Sequence, residues 1–173
     1  MQLTKLATTS MDLLQKNMQE YKKQLQSGAI QAAYRGLMDF MNSLRTRFKG
    51  KCPDYFVSGL YFGYMDMTYF ALIPKSLKRR KLKIAIVFNH EAFRFEAWLS
   101  GYNKAVQAKY WKQIKQSSLS KYRQPASTKG ADSIVECDLV ENPDFGDLDA
   151  LTRQIESGTL KFIGDVEGFL SEA

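Results

Sequence analysis

Apolar residues recur at helical spacing along the first part of the chain. Within residues 11–26 the steps between them are four, three and four, which is the period of an amphipathic helix. A second helical stripe spans residues 29–49, and Ser27-Gly28 between the two predicts a helix end, because glycine tolerates the left-handed conformation. Residues 1–10 carry no such stripe, so we expect a flexible tail there. The first stripe consists of Leu14, Met18, Tyr21 and Leu25.

Beyond residue 53 the apolar positions alternate, and this pattern predicts strands. Three such runs follow one another, at residues 64–73, 82–88 and 93–99. The last two flank residues 89–92, a length typical of a hairpin loop. One register of this hairpin places only apolar residues on one face of the sheet, so we expect that face to be buried. It pairs Phe88 with Phe93, Ile86 with Phe95, Ile84 with Ala97 and Leu82 with Leu99.

The remaining segments complete an α+β pattern. Helical spacing predicts a helix over residues 103–116, alternation predicts a strand over 133–140, and a last helix follows to the C-terminus. Gly158 is expected to break or kink this last helix, with Thr159 as a cap for its second part. The order ααβββαβα predicts an N-terminal helical pair and an antiparallel β-meander of about four strands, with helices packed against the sheet. We expect one α+β domain over residues 11–173.

The counts of histidine and cysteine exclude several classes of site. The chain has one histidine, His90, and two widely separated cysteines, Cys52 and Cys137. A structural zinc site needs about four such ligands at short spacing, so we expect no metal. The sequence also contains no Walker loop and no G-x-G-x-x-G motif, and we expect no cofactor. Isolated cysteines predict reduced thiols. Because the sequence shows neither a signal peptide nor an apolar run near the roughly 20 residues of a membrane helix, we expect a cytoplasmic protein without a membrane partner.

The net charge of +7 is divided unevenly along the chain. Residues 1–131 carry 23 Lys and Arg against seven Asp and Glu, whereas residues 132–173 carry two against eleven. One interpretation is a nucleic-acid surface, because clustered cations release counterions from a phosphate backbone. The other is that the acidic C-terminal segment folds back and neutralises the basic body. The cations of the candidate nucleic-acid surface are Lys75, Lys78, Arg79, Arg80, Lys81 and Lys83.

A candidate binding site lies on the sheet face opposite the predicted core. Arg94, Glu96 and Trp98 alternate along one strand, and we expect Asp66 and Thr68 to project beside them from the neighbouring strand. A carboxylate, a guanidinium and an indole on one rigid face are suited to a small polar ligand. The alternative is a paired Arg94–Glu96 surface partly covered by a helix. The candidate ligand-binding residues are Asp66, Arg94, Glu96, Trp98, Asn103 and Lys104.

A catalytic interpretation has few residues to draw on. A Ser-His-Asp or Cys-His mechanism has to use His90, which lies at the predicted hairpin tip. The element order is similar to that of restriction-endonuclease-like nucleases, whose metal site needs Asp/Glu-X-Lys on a strand. The matching place reads Glu96-Ala-Trp98 and lacks the lysine. An unusual or degenerate hydrolase therefore stays open only as an alternative.

Several strings of the chain resemble an uncharacterised bacterial protein family, a domain of unknown function. The resemblance covers residues 11–170 and implies no activity and no site residues. The strings include Tyr55-Phe-Val-Ser-Gly59, Gly63-Tyr-Met-Asp-Met-Thr-Tyr-Phe70, Lys83-Ile-Ala-Ile-Val-Phe-Asn-His-Glu91, Arg94-Phe-Glu-Ala-Trp-Leu99 and Gly158-Thr-Leu-Lys-Phe-Ile163.

These patterns favour a binding protein over an enzyme of a standard class. We expect it to bind a small polar ligand or a protein partner on the sheet face, as a monomer or homodimer. Nucleic-acid binding through the basic residues between 75 and 83 is the second hypothesis, and an unusual hydrolase is the third.

Overall fold

The computed structural model describes residues 2–127 and 129–172, with side chains from residue 12 onward. The chain divides into two compact units, Met1–Phe40 and Met41–Ala173. The first unit contains helix α1 (Gln2–Gln26) and the beginning of helix α2 (Ala29–Lys51). Between them Gly28 has φ +72°, and its N–H donates to Leu25 O at 3.1 Å, so the predicted helix end is confirmed. Leu14, Met18 and Tyr21 of the predicted stripe are exposed.

Helix α1 begins at Gln2 rather than near Met11, so the predicted helix start is wrong. Residues 2–10 contain no glycine or proline, and nothing in their chemistry stops helix propagation. Met1 and the side chains of residues 2–11 lie outside the described part of the structure. The flexible tail over residues 1–10 and the single domain over residues 11–173 stay predictions.

The second unit is built on one antiparallel sheet of five strands in chain order. The strands are β1 (Phe56–Val57), β2 (Met67–Ile73), β3 (Leu82–Asn89), β4 (Arg94–Gly101) and β5 (Val135–Val140). The helices are α3 (Lys75–Arg79), α4 (Lys104–Ile114) and α5 (Leu148–Glu172), with a short 3₁₀ turn at Ser118–Lys121. The α+β class and the antiparallel meander are confirmed. The short β1 and α3 are additional to the predicted elements.

Alternation along the central strands gives the sheet one face that forms the core. Phe70, Ile86 and Ala97 are successive partners across β2, β3 and β4, and all three are buried. The ring of Phe48, near the end of α2, lies 6.0 Å from that of Phe70. Arg47 Nε donates to Glu156 Oε1 at 2.7 Å, which ties the end of α2 to α5. The end of α2 and α5 therefore belong to the same hydrophobic layer.

The hairpin between β3 and β4 has a register two residues away from the predicted one. Phe88 pairs with Phe95, Ile86 with Ala97 and Ile84 with Leu99. Phe93 has φ +50° and belongs to the loop, so β4 begins at Arg94. Because the shift is two residues and side chains alternate with a period of two, every residue stays on its predicted face.

Strand β2 begins at Met67, three residues after the predicted start. Gly63 and Met65 have φ +65° and +62°, and this left-handed backbone forms a turn where an apolar strand was expected. Asp66 therefore lies in a turn and not on the strand. Thr68 is fully buried on the core face as the partner of Phe88, so its predicted place beside Arg94 is wrong.

Helix α5 is continuous from Leu148 to Glu172, so the predicted break at Gly158 is wrong. A Cβ at Gly158 would lie 2.9 Å from Leu139 Cδ2 of β5, so the glycine allows close packing. Thr159 is fully buried within the helix and is not a cap. Among the described residues, none of the helices combines the length and apolar character that a membrane crossing requires.

Candidate ligand-binding groove

An open cavity of about 550 Å³ lies on the sheet face opposite the core. We call it the groove, and its lining comes from β2, β3 and β4, the turn before β2, the start of α4 and residues 130–132. Its volume lies in the range of pockets for small ligands. The main lining side chains are Tyr61, Asp66, Tyr69, Lys83, Ala85, Trp98, Asn103, Lys104, Gln107 and Asp132.

The floor of the groove follows from strand alternation. On β3 the small residue Ala85 is the partner of Trp98 on β4, and both side chains point to the groove face. On the other side of β3, strand β2 presents Tyr69 on the same face, and the ring of Tyr61 lies 5.0 Å from the ring of Tyr69. Ala85 therefore has the Trp98 indole on one side and Ala71 on the other, and Tyr69 lies two residues further along β2, opposite Val87.

A half-buried cation lies at this floor. Lys83 Nζ is 5.5 Å from the centroid of the Tyr69 ring, within the range of a cation–π contact. Lys83 forms no salt bridge with any residue in the described part of the chain. The second lysine of the lining, Lys104, is exposed at the start of α4. The groove therefore presents positive charge beside its aromatic rings.

The start of α4 supplies an oriented polar group. Asn103 is the N-cap, and its side chain accepts from Val106 N at 2.9 Å. Gln107 is 94% buried (6% exposed), and its Oε1 accepts from Gly101 N at 2.8 Å. Because Gly101 N is a donor, this contact assigns the amide orientation of Gln107 and leaves Nε2 as the remaining donor. Among the described residues Gln107 Nε2 has no hydrogen-bond partner.

Asp66 reaches the groove from the turn before β2. Its Oδ1 accepts from Met67 N at 2.7 Å and from Tyr64 N at 2.9 Å. These two backbone hydrogen bonds lower the pKa of Asp66, so the carboxylate is charged at neutral pH. At Gly63 in the same turn a Cβ would lie 2.1 Å from Met67 O, so the turn requires glycine. Asp66 thus stabilises the turn as well as lining the groove.

Arg94 and Glu96 lie outside the groove lining and form a network beside it. Glu96 is fully buried, and Arg94 Nε donates to its Oε1 at 2.5 Å. Arg123, from the segment between α4 and β5, donates to the same oxygen at 2.9 Å and also pairs with Asp138. Trp98 Nε1 donates to Glu96 Oε2 at 2.5 Å. Glu96 therefore orients the Trp98 indole that lines the groove.

The structure brings together four of the six predicted site residues. Asp66, Trp98, Asn103 and Lys104 line one cavity, whereas Arg94 and Glu96 are engaged with each other, as the alternative interpretation expected. The expected covering helix is replaced at this pair by Arg123, which lies in the segment between α4 and β5 and binds the Glu96 carboxylate.

Sequence reasoning missed Tyr69, Gln107 and Arg123. Alternation with Met67 and Ala71 places Tyr69 on the groove face, and this signal was available in the sequence. Gln107 follows the N-cap Asn103 by four residues, which puts both on one side of α4. Arg123 carries no sequence signal, because 27 residues separate it from Glu96.

The six predicted nucleic-acid residues have different surroundings. Lys75 Nζ donates to Asp54 Oδ1 at 3.3 Å, Arg80 donates to Leu170 O, and Lys83 lies in the groove. Lys78, Arg79 and Lys81 are exposed near one turn. The acidic C-terminal segment pairs with the basic body at several points, as the second interpretation of the charge predicted. These pairs are Arg47–Glu156, Lys51–Glu156, Lys121–Asp165, Arg123–Glu136, Arg123–Asp138 and Arg94–Asp138.

His90 and the two cysteines belong to the packing outside the groove. The Thr68 hydroxyl donates to Phe62 O, so His90 Nε2 donates to Thr68 Oγ1 at 2.9 Å. Burial lowers the pKa of His90 and raises that of Cys52, and burial raises the pKa of Cys137 to about 11. Both thiols are therefore protonated at neutral pH. Among the described residues, no group of three or more His, Cys, Asp or Glu side chains is arranged to hold a metal ion.

Comparison with known proteins gives a family and no activity. No curated protein and no solved structure matches the chain. The profile of the family described as a domain of unknown function (DUF7000) matches residues 14–170, which is most of the chain. The chain therefore belongs to the DUF7000 family.

Proposed function

We propose that this protein binds a small polar ligand in the groove. The observation that carries the proposal is the combination of a cavity of about 550 Å³ with Gln107, whose buried Nε2 lacks a partner among the described residues. A buried donor without a partner costs about 1–3 kcal/mol. A ligand that supplies an acceptor recovers that free energy.

The surrounding contacts support a preorganised site. The Glu96 network holds the Trp98 indole, and Gly101 N holds the Gln107 amide. Strands β2, β3 and β4 provide a rigid floor, because their side chains are fixed by the register. A site held in place before binding loses less conformational entropy when the ligand arrives.

The proposal is tested by a thermal-shift screen with a panel of water-soluble amino acids, sugars, nucleosides, nucleotides and organic acids. Hits are then measured by calorimetry on the wild type, Lys83→Glu and Lys78→Glu. The two variants change the net charge equally, but only Lys83 lies in the groove. We expect at least one hit that Lys83→Glu weakens tenfold or more and Lys78→Glu leaves unchanged. A panel without a groove-dependent hit would contradict the proposal.

Nucleic-acid binding is the second candidate, and the exposed Lys78, Arg79 and Lys81 favour it. They form no salt bridge with any described residue. A filter-binding titration with single- and double-stranded DNA and RNA at 50 and 200 mM salt distinguishes the candidates. Binding through these cations predicts a salt-sensitive affinity that Lys78→Glu reduces. The groove proposal predicts no such affinity.

We also propose a cytoplasmic location and a monomer or homodimer. Both cysteines, Cys52 and Cys137, are free and half-buried. Unpaired thiols are typical of proteins in a reducing compartment. Analytical ultracentrifugation measures the oligomeric state. A protein partner on the same sheet face stays an alternative to the small ligand.

A further inference from the structure

We infer that the ligand of the groove is a small molecule with a planar ring and an anionic group. This inference rests on the proposed function and specifies the chemical class of the ligand. It is carried by the aromatic walls, by the half-buried Lys83 and by the unpartnered amide of Gln107.

The ring follows from the spacing of the walls. Trp98 and Tyr69 project from strands on either side of β3, and they are offset by two residues, because Trp98 is opposite Ala85 and Tyr69 is opposite Val87. With neighbouring strands about 4.8 Å apart and about 3.4 Å per residue along a strand, the two side chains start roughly 12 Å apart. A flat ring with an aromatic contact on each side needs about 7–8 Å. Ala85 is the partner of Trp98 and contributes only a methyl group beside the indole. We therefore place the ring of the ligand above Ala85, with Trp98 beside it and Tyr69 at the far side of the groove.

The anionic group follows from two donors of the lining, Lys83 and Gln107 Nε2, that meet no hydrogen-bond acceptor among the described residues. Lys83 lies beside the aromatic wall and forms no salt bridge with any described residue. Gln107 Nε2 is a buried donor, and the first N–H groups of α4 carry the positive end of the helix dipole. A carboxylate or phosphate oxygen is an acceptor with negative charge, so it satisfies the amide and the ammonium together.

The carboxylates of the groove are compatible with this assignment. Asp66 Oδ1 is occupied by two backbone N–H donors, which offset part of its charge. Asp132 is exposed, so solvent screens its charge. Lys83 is half-buried and keeps more of its electrostatic effect on a bound anion.

The test compares ligands that differ in one feature. Calorimetry measures AMP against adenosine and ribose 5-phosphate, and indole-3-acetate against indole. We expect AMP to bind at least tenfold more tightly than adenosine, which lacks the charge, and than ribose 5-phosphate, which lacks the ring, or indole-3-acetate to bind at least tenfold more tightly than indole. Binding of AMP alone identifies a phosphate site, and binding of indole-3-acetate alone identifies a carboxylate site.

Two variants check which residues select the anion. Lys83→Met removes the charge, and Gln107→Glu keeps the acceptor for Gly101 N but removes the amide donor. Each should abolish the preference for the anionic compound, whereas Lys78→Met outside the groove should preserve it. Thermal denaturation of each variant confirms that it is folded.

The outcomes separate this inference from the proposed function. Equal binding within a pair whose two members both bind, either adenosine and AMP or indole and indole-3-acetate, would overturn the anionic group. Ribose 5-phosphate binding as tightly as AMP, with indole-3-acetate inactive, would overturn the ring. Each of these results, or the absence of binding by all five compounds, would overturn this inference. Groove-dependent hits in the wider screen would still support the proposed function. Loss of those hits as well would overturn both.

Discussion

Glu96 illustrates how one buried charge is made compatible with an apolar sheet. Its two oxygens receive hydrogen bonds from Arg94, Arg123 and Trp98, and its side chain is fully buried. A buried carboxylate is expensive to desolvate unless its lone pairs are satisfied. The three donors meet that condition, and the same bonds hold the indole against the groove.

Removing this carboxylate is predicted to cost much more stability than removing an exposed one. Glu96→Ala leaves Arg94 and Arg123 without their shared partner, and we expect a loss of about 3 kcal/mol in the free energy of unfolding, measured with urea. Asp54→Ala breaks the exposed pair with Lys75 and should cost less than about 1 kcal/mol. Equal losses of stability in the two variants would show that the buried Glu96 carboxylate contributes no more than an exposed ion pair.

Acid is predicted to weaken the contacts between α5 and the basic body. A hydrogen bond from Arg47 lowers the pKa of Glu156, and one from Lys121 lowers the pKa of Asp165. A carboxyl group with a lowered pKa in the folded state contributes stability above its unfolded value. That contribution is lost as the pH falls from the ordinary values, 4.5 for Glu and 3.8 for Asp, through the lower folded values.

Urea unfolding between pH 7 and pH 2.5 measures this effect. Stability should fall less steeply with acid in Glu156→Gln than in the wild type, because the variant has lost one of the titrating groups. Glu172→Gln, an exposed residue near the C-terminal end of α5, is the control and should follow the wild type. Parallel curves for all three proteins would rule out the contribution of Glu156.

The sequence predicts residues of the groove where strand alternation decides the face. Alternation along β3 and β4 puts Lys83, Ala85 and Trp98 on the same face, and the structure has them there. It could not predict that Gln107 keeps a free amide donor, because this depends on the contact of its Oε1 with Gly101 N. Arg123 was unpredictable for a similar reason, since only the folded chain brings it to Glu96.

At the scale of elements, glycine acts through packing where sequence patterns suggested a break. In α5, Gly158 faces Leu139 closely, whereas a Cβ at Gly164 would meet nothing within 4 Å. Close packing against β5 therefore accounts for the glycine at position 158, and the helix continues through this residue although glycine is a poor helix former. The hairpin register also differs from the predicted one. The left-handed conformation of Phe93 moves the pairing by two residues, and each residue keeps its predicted face.

These two glycines predict different responses to alanine. Gly164→Ala should raise the free energy of unfolding by about 1 kcal/mol, because alanine is the better helix former and the space is free. Gly158→Ala should gain less than Gly164→Ala, because Leu139 has to move. Urea denaturation compares the two variants, and a larger gain at Gly158 would contradict the packing argument.

The junction of β4 and α4 is predicted to tolerate no side chain. A Cβ at Gly101 would lie 2.8 Å from the backbone N of Gln107, so Gly101→Ala must displace the first turn of α4. We expect a loss of about 2 kcal/mol in stability and at least tenfold weaker binding of a groove ligand. Gly59→Ala, where a Cβ meets nothing within 4 Å, is the matched control. Unchanged ligand binding in Gly101→Ala would show that the first turn of α4 is not part of the binding site.

Across the whole molecule, internal pairing resolves part of the uneven charge. Among the described residues, four of the eleven carboxylates after residue 131 pair with five of the 23 cations before it, namely Arg47, Lys51, Arg94, Lys121 and Arg123. Lys83 is a member of the basic body that takes no part in this pairing and lies in the groove instead. The charge asymmetry is therefore compatible both with a single anionic ligand in the groove and with a nucleic acid at Lys78, Arg79 and Lys81, and the binding titrations distinguish the two.

Fluorine NMR shows whether the ligand binds beside Trp98. The chain has two tryptophans, and Trp111 lies outside the groove with its Nε1 donating to Pro125 O. Protein labelled with 5-fluorotryptophan gives one resonance for each, assigned with the Trp111→Phe variant. Titration with a calorimetric hit should shift the Trp98 resonance in a saturable manner and leave that of Trp111 in place. A Trp98 resonance that does not move at saturation would show that the ligand does not bind beside Trp98.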